Sequence, residues 1–195
     1  KVIDIAGNAS AASGNFITSV DTSAPNAPSL ALGSGVADGA TLAEATAAGG
    51  VVTVAAEAGS TIAVQFSRSG GGSLTKTITN ATGSAQAVVL TSADLTTLGD
   101  GLISVSATAT DAAGNVSSAG SASFSLDRVA PNAPTISDIP ENTSGGTINT
   151  SEASDGTSVL VSLSGTNAVA GDTLRINFGS QTTFYTLQGA DIMAG

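Results

Sequence analysis

Short stretches of alternating apolar and polar residues run through the chain, separated by glycine, asparagine, aspartate and serine. The clearest is 102–110, where Ile103, Val105, Ala107 and Ala109 share one face and Ser104, Ser106, Thr108 and Thr110 the other. A period of two marks a strand with one buried face. The same period predicts a strand over 61–66, with Ile62, Val64 and Phe66 inward, and one through Ala122, Phe124 and Leu126. Shorter apolar runs predict strands at 51–55, 74–79 and 88–90, with Lys76 marking an edge. Pro25 and Pro28 hold the segment before them extended and cannot donate to a ladder, so it reads as linker plus edge strand. Residues 92–95 read as one capped helical turn, and 33–50 as an irregular Gly/Ala-rich loop carrying Glu44.

Seven short strands in about a hundred residues, joined by turn-forming residues, predict an all-β fold. The expected architecture is an immunoglobulin-like β-sandwich of antiparallel strands in Greek-key order, repeated in tandem. The repetition is visible directly. Asp21-Thr22-Ser23-Ala24-Pro25-Asn26-Ala27-Pro28 returns as Asp127-Arg128-Val129-Ala130-Pro131-Asn132-Ala133-Pro134. Asp4-Ile5-Ala6-Gly7-Asn8 returns as Asp111-Ala112-Ala113-Gly114-Asn115, and Ala43-Glu44-Ala45 as Ser151-Glu152-Ala153. The strand opening Gly59-Ser60-Thr61-Ile62 is answered by Gly171-Asp172-Thr173-Leu174. Such periodicity points to an array of stacked units. Residues 1–20, with a turn at Asp4–Asn8 and a short strand over 16–20, read as the end of a preceding repeat. Residues 21–127 read as one complete repeat, and 128–195 as the start of a following one, with strands at 160–163, 174–178 and 184–187. No counterpart of 102–110 or 122–126 follows in that last part. An incomplete sandwich exposes a strand edge. It is expected to be covered by strands of a continuing chain or, head to tail, by another molecule's residues 1–20. No signal peptide is visible at Lys1, but the chain is expected to open inside a repeat, so that says nothing about a leader.

Composition narrows the chemistry. Fifteen acidic residues against five basic ones give a net charge of −10, which disfavours nucleic acid and anionic membrane surfaces and suits cations. Cysteine and histidine are both absent, which removes disulfides, thiolate and imidazole metal sites, and the Ser-His-Asp triad. No apolar run approaches a membrane span. The Gly70–Gly72 run has neither lysine nor a following helix, so it is not read as a phosphate cradle. No catalytic constellation is expected.

The oxygen donors are another matter. Calcium is held by carboxylates, amide and backbone carbonyls, and water, and these are what the chain offers. In a seven-strand sandwich Asp111 and Asn115 sit at the pole where the linker carrying Asp21 arrives, with the Glu57 loop nearby. At the opposite pole Asp127 is joined by the loops carrying Glu44, Asp94 and Asp100. Clustered carboxylates repel unless a cation bridges them. The candidate calcium ligands are therefore Asp4, Asn8, Asp21, Glu44, Asp100, Asp111, Asn115, Asp127 and Asp172. The alternative for Asp-x-Ala-Gly-Asn is a plain tight turn, held by Asp and Asn side chains with glycine at a positive φ; for Glu44 it is a solvated loop residue.

The Asp–Ala-Pro linkers, the Ala-Thr-Asp-Ala-Ala-Gly-Asn turn at 109–115 and the Glu44 and Glu152 segments together resemble the bacterial Ig-like repeats of giant adhesins, secreted by Gram-negative bacteria through type I systems. The resemblance spans the chain, although antibody-type cysteine and tryptophan are missing. It implies a stalk or extender segment at the cell surface, a linear rod stiffened by calcium at its junctions. Such a stalk projects a distal binding domain for adhesion and biofilm formation. The implied partners are neighbouring repeats of the same chain, the protein otherwise being monomeric. A glycan- or protein-binding Ig-like module is the second reading. It is disfavoured by the scarcity of aromatics, since Tyr185 is the only Tyr or Trp. An accessory domain of a secreted hydrolase is a third.

Overall fold

The alternating stretches become strands. The computed structural model describes residues 1–15, 17–142, 148–151, 154 and 156–194, and the chain divides into the units Lys1–Arg128 and Val129–Gly195. The first unit contains strands β1 (Ser29–Leu32), β2 (Val52–Ala55), β3 (Thr61–Arg68), β4 (Ser73–Ile78), β5 (Gln86–Val88), β6 (Gly101–Thr110) and β7 (Gly120–Leu126). They form two sheets, ordered β1-β2-β5 and β4-β3-β6-β7, and every pair is antiparallel. This is the immunoglobulin-like sandwich, with chain crossings between sheets after β2, β4 and β5.

The inward faces are those the period of two marked. Ile62, Val64 and Phe66 of β3 and Ile103, Val105, Ala107 and Ala109 of β6 are all buried, and Val52, Val54 and Val88 are buried on the facing sheet. Each fully buried Val, Ile or Phe contributes about 1.5–3 kcal/mol. Small residues on β6 lie beside large ones on β3, with Val64 opposite Ala107 and Ile62 opposite Ala109. Lys76 lies on β4, an edge strand as its charge suggested.

Two short helices interrupt the strands. Helix α2 (Ser92–Leu98) is longer than the single turn expected, and it buries Leu95 and Leu98. Its N-terminus is a capping box of Thr91 and Asp94. At its other end the Arg68 Nε donates to the Leu98 carbonyl at 2.7 Å, satisfying one of the acceptors that a helix end leaves open. Helix α1 (Leu42–Ala45) corrects the reading of 33–50 as irregular. Thr41 and Glu44 form a second capping box there, the Thr-x-x-Glu spacing that starts a helix. Glu44 therefore caps a helix and is not a free loop residue.

The second unit contains β8 (Thr135–Asp138) paired with β9 (Leu160–Ser162), β10 (Thr173–Phe178) paired with β11 (Gln181–Thr186), and α3 (Gly189–Ala194). Its hydrogen bonds copy those of the first unit. Gly59 N donates to Ala81 O at 2.7 Å and Ala81 N to Ser60 O at 2.8 Å; Gly171 N donates to Leu187 O at 2.9 Å and Leu187 N to Asp172 O at 2.8 Å. The helix caps match too: Thr91 N donates to Asp94 Oδ2, and Gln188 N to Asp191 Oδ2, each at 2.7 Å. Residues 17–20 are exposed and belong to no strand, which corrects the expected strand over 16–20; Phe16 itself lies outside the described residues, as does Glu152.

Candidate cation site at the linker turn

The turn at Asp111–Asn115 is built from its own side chains. One carboxylate oxygen of Asp111 accepts from the backbone N–H of Ala113 at 2.9 Å and of Asn115 at 2.8 Å. The other accepts from the Asn115 side-chain amide at 2.8 Å. Gly114 takes φ +94°, where a side chain would be strained, and its N–H donates to the Asp111 carbonyl at 3.2 Å. The Asn115 amide holds the Asp111 carboxyl below its ordinary pKa; partial desolvation opposes this, and the backbone N–H groups of Asn115, Ala113 and Gly114 reinforce it.

Residues 1–10 reproduce this turn bond for bond. Asp4 accepts from Ala6 N at 2.9 Å, Asn8 N at 2.8 Å and Asn8 Nδ2 at 2.9 Å. Ser10 N donates to Val2 O, and Ser117 N to Ala109 O, both at 2.8 Å. Ser10 Oγ accepts from Val2 N at 2.8 Å, and Ser117 Oγ from Ala109 N at 2.9 Å. The serine is a residue that sequence reasoning passed over. Its signal was present, since Asn8-Ala9-Ser10 and Asn115-Val116-Ser117 repeat in register. The Asp4 carboxyl is also held low, first by the Asn8 side chain.

One difference separates the two copies. Asn115 Nδ2 also donates to the backbone carbonyl of Asp21 at 3.2 Å and, at the long limit, of Ser23 at 3.5 Å. The linker is folded back by its own aspartate, whose Oδ1 accepts from Ser23 N at 2.9 Å. Asp21, Asp111 and Asn115 are thus brought together, with the Asp111 carboxylate and two carbonyls converging on one point. The Glu57 loop meets the other side of the linker, in a shallow groove lined by Asn26, Ala27 and Ser29.

Glu44, Asp100 and Asp172 accept from other protein groups. Glu44 Oε2 accepts from Thr41 N at 2.9 Å and Thr41 Oγ1 at 2.8 Å, and those two bonds, the backbone one first, hold its carboxyl low. Asp100 pairs with Arg128 at 2.6 Å, and Asp94 with Lys76 at 2.6 Å. Asp172 Oδ2 accepts from Val169 N at 2.9 Å. Asp127 N donates to the Ala40 carbonyl at 3.0 Å, which places it beside the α1 cap. Among the described residues no group of three or more Asp or Glu gathers in the manner of a highly charged metal cage.

Chemically, the linker turn is a cluster of hard oxygens with few full charges, the donor type that calcium takes. No helix among the described residues is long and apolar enough to cross a membrane.

No family model matches this sequence, and no curated protein does. Two solved structures are similar to it. One is a tetra-tandem repeat in the extending region of a large adhesion protein, 21% identical at a TM-score of 0.39, covering 62% of this chain and 29% of that one. The other is a 1.5-MDa bacterial ice-binding adhesin, 22% identical at a TM-score of 0.40, covering 87% and 52%. The chain spans less than a third and about half of those two chains.

Proposed function

We propose that this chain is a spacer segment of a surface-exposed adhesin, in which tandem Ig-like repeats are joined by linkers that calcium stiffens. The observation that carries the reading is the coupled duplication of the linker and the Asp-x-Ala-Gly-Asn turn, with the turn's amide reaching the linker backbone. No enzyme is needed to explain a repeated junction. A stalk needs one, because it must fix the angle between successive units. Residues 1–20 are then the end of a preceding repeat, 21–127 a complete one, and 128–195 the start of another. The protein acts outside the cell, among neighbouring repeats of its own chain.

Calcium would be held by the Asp111 carboxylate, the carbonyls of Asp21 and Ser23, and Asn115. Here the Asn115 Nδ2 holds those oxygens together. An ion bound there would take over that role. Bound calcium supplies positive charge between the linker and the turn, and it locks the linker against the first unit. A ligand that binds only the folded state adds about 2.7 kcal/mol at a hundredfold excess over its Kd.

The test is thermal melting of the chain in calcium, in magnesium and in chelator, together with isothermal titration. Calcium should raise the melting temperature by several degrees and magnesium by less, and Asp111→Ala should abolish the difference. Small-angle scattering on the same samples reports whether the linker stiffens. Equal melting in all three solutions, with no heat of binding, would remove the calcium reading.

A further inference from the structure

Two features of the first unit stand apart from the linker turn. One is the Gly70–Gly72 run, and the other is the residue that follows the linker aspartate. The first linker has Thr22 there and the second has Arg128. Arg128 Nε donates to Asp100 Oδ1 at 2.6 Å, and the two side chains are only 26% and 35% exposed. The chain just before it is already fastened. Ala40 N donates to the Ser125 carbonyl at 2.7 Å, and Asp127 N to the Ala40 carbonyl at 3.0 Å. Arg128 adds a tie one residue further out.

The loop that presents Asp100 is itself held from behind. Gly99 and Gly101 flank it at φ +72° and +125°, a backbone that other residues rarely adopt. Both pack on Arg68, the last residue of β3. A Cβ on Gly99 would stand 3.1 Å from its guanidinium, and one on Gly101 3.4 Å from its Cδ. The Arg68 Nε is fixed in turn by the Leu98 carbonyl at the end of α2. The glycine run closes over the same group. A Cβ on Gly71 would overlap the Arg68 guanidinium, and one on Gly72 the Thr97 carbonyl. The run therefore lets the β3–β4 turn lie flat against the arginine and the helix end.

We propose that Arg128 is a latch that fastens the departing linker to Asp100, and that Arg68 is the positioning residue that holds the Asp100 loop for it. Sequence reasoning gave this pole, with Glu44, Asp100 and Asp127, to calcium. The latch puts a positive charge of the chain's own there. Arginine suits the task, because its planar fork stays charged and offers directed donors that lysine lacks. The two linkers are then held in different ways. An amide of the first unit reaches the backbone of the first linker, whereas a side chain of the second linker reaches a carboxylate of the same unit. The residue after the linker aspartate decides which. The proposal is independent of calcium binding at the linker turn.

The arginines make the test direct, because Arg68, Arg128 and Arg175 are the only ones in the chain. Nitrogen-15 NMR of the full chain resolves their Nε–H groups. The Arg128 Nε–H is expected to exchange slowly with solvent, to lose that protection in Asp100→Ala, and to ignore both calcium and chelator. Arg128→Thr, which installs the residue of the first linker, should speed exchange of the Asp127 amide about two- to fivefold, the worth of one partly covered ion pair. Gly71→Ala tests Arg68 without removing its charge. Gly71 does not take a positive φ, so alanine strains nothing but the guanidinium it displaces. It should move the Arg128 Nε–H signal as well as that of Arg68, and it should speed Asp127 exchange no further once Arg128→Thr is present. An Arg68 that merely caps α2 would leave the Arg128 signal where it is, and that result overturns its positioning role. An Arg128 Nε–H that exchanges like a free guanidinium, or Asp127 exchange unchanged by Arg128→Thr, overturns the latch.

Discussion

Replacing Asp94 by alanine is expected to be among the more damaging single changes on the surface of the first unit. One oxygen, Oδ2, accepts from Thr91 N at 2.7 Å, Thr91 Oγ1 at 2.7 Å and Lys76 Nζ at 2.6 Å. It therefore starts α2 and ties that helix to the edge strand β4. Losing the capping box costs about 1 kcal/mol. The ion pair adds about 0.5–1 kcal/mol, at the upper end for exposed pairs because its side chains are only 30% and 19% exposed. Together these give about 1.5–2 kcal/mol, or roughly 5–10 °C in melting temperature for a unit of this size. Circular dichroism melting measures it, and a double-mutant cycle with Lys76→Ala separates the pair from the cap. Burial raises the Asp94 pKa, but the Lys76 and Thr91 bonds outweigh it and the net shift is downward from 3.8. The folded carboxyl is thus the stronger acid. Its stabilisation is complete above the ordinary value and is lost as pH falls through the lower, folded one. Asp94→Asn should remove that acid-limb loss while keeping part of the cap. A melting shift below about 2 °C for the alanine variant, or an acid limb identical to wild type for the asparagine variant, would refute the reasoning.

Ser117→Ala leaves the buried Ala109 N–H without its 2.9 Å acceptor and should cost about 1–3 kcal/mol in chemical unfolding. Ser10→Ala, at the exposed copy of the same turn, should leave that unfolding unchanged. Gly120→Ala forces a side chain onto the Pro28 carbonyl, which cannot swing away as a flexible side chain could. A loss of about 2 kcal/mol or more is expected by the same assay.

Much of the fold was legible because strand period and turn chemistry are local. Ile103, Val105, Ala107 and Ala109 announce an inward face by spacing alone, and all four are buried. The Asp-x-Ala-Gly-Asn turn makes one set of bonds twice, once within the sandwich and once at the exposed residues 1–10. Its geometry is therefore carried by five residues and needs no tertiary support. Glu44 shows where that reading thinned. The Thr41-x-x-Glu44 cap was written in the sequence, yet Gly and Ala around it suggested a loop, and so the carboxylate looked free.

The candidate site was less legible for a different reason. A carboxylate's role depends on which donor lies within hydrogen-bond reach, and that donor is often far away in sequence. Asp100 meets Arg128 twenty-eight positions on, and Asp94 meets Lys76 eighteen positions back. Asn115 reaches the Asp21 carbonyl across ninety-four. By itself the sequence determined the strands, the repeated linker and the turn, since each is set by neighbours along the chain. Only the tertiary structure decided which acids are spent on protein donors and which lies at the linker: pairing of β6 with β7 sets Gly101 opposite Leu126 and so brings Asp100 to Arg128, while α2 beside β4 brings Asp94 to Lys76.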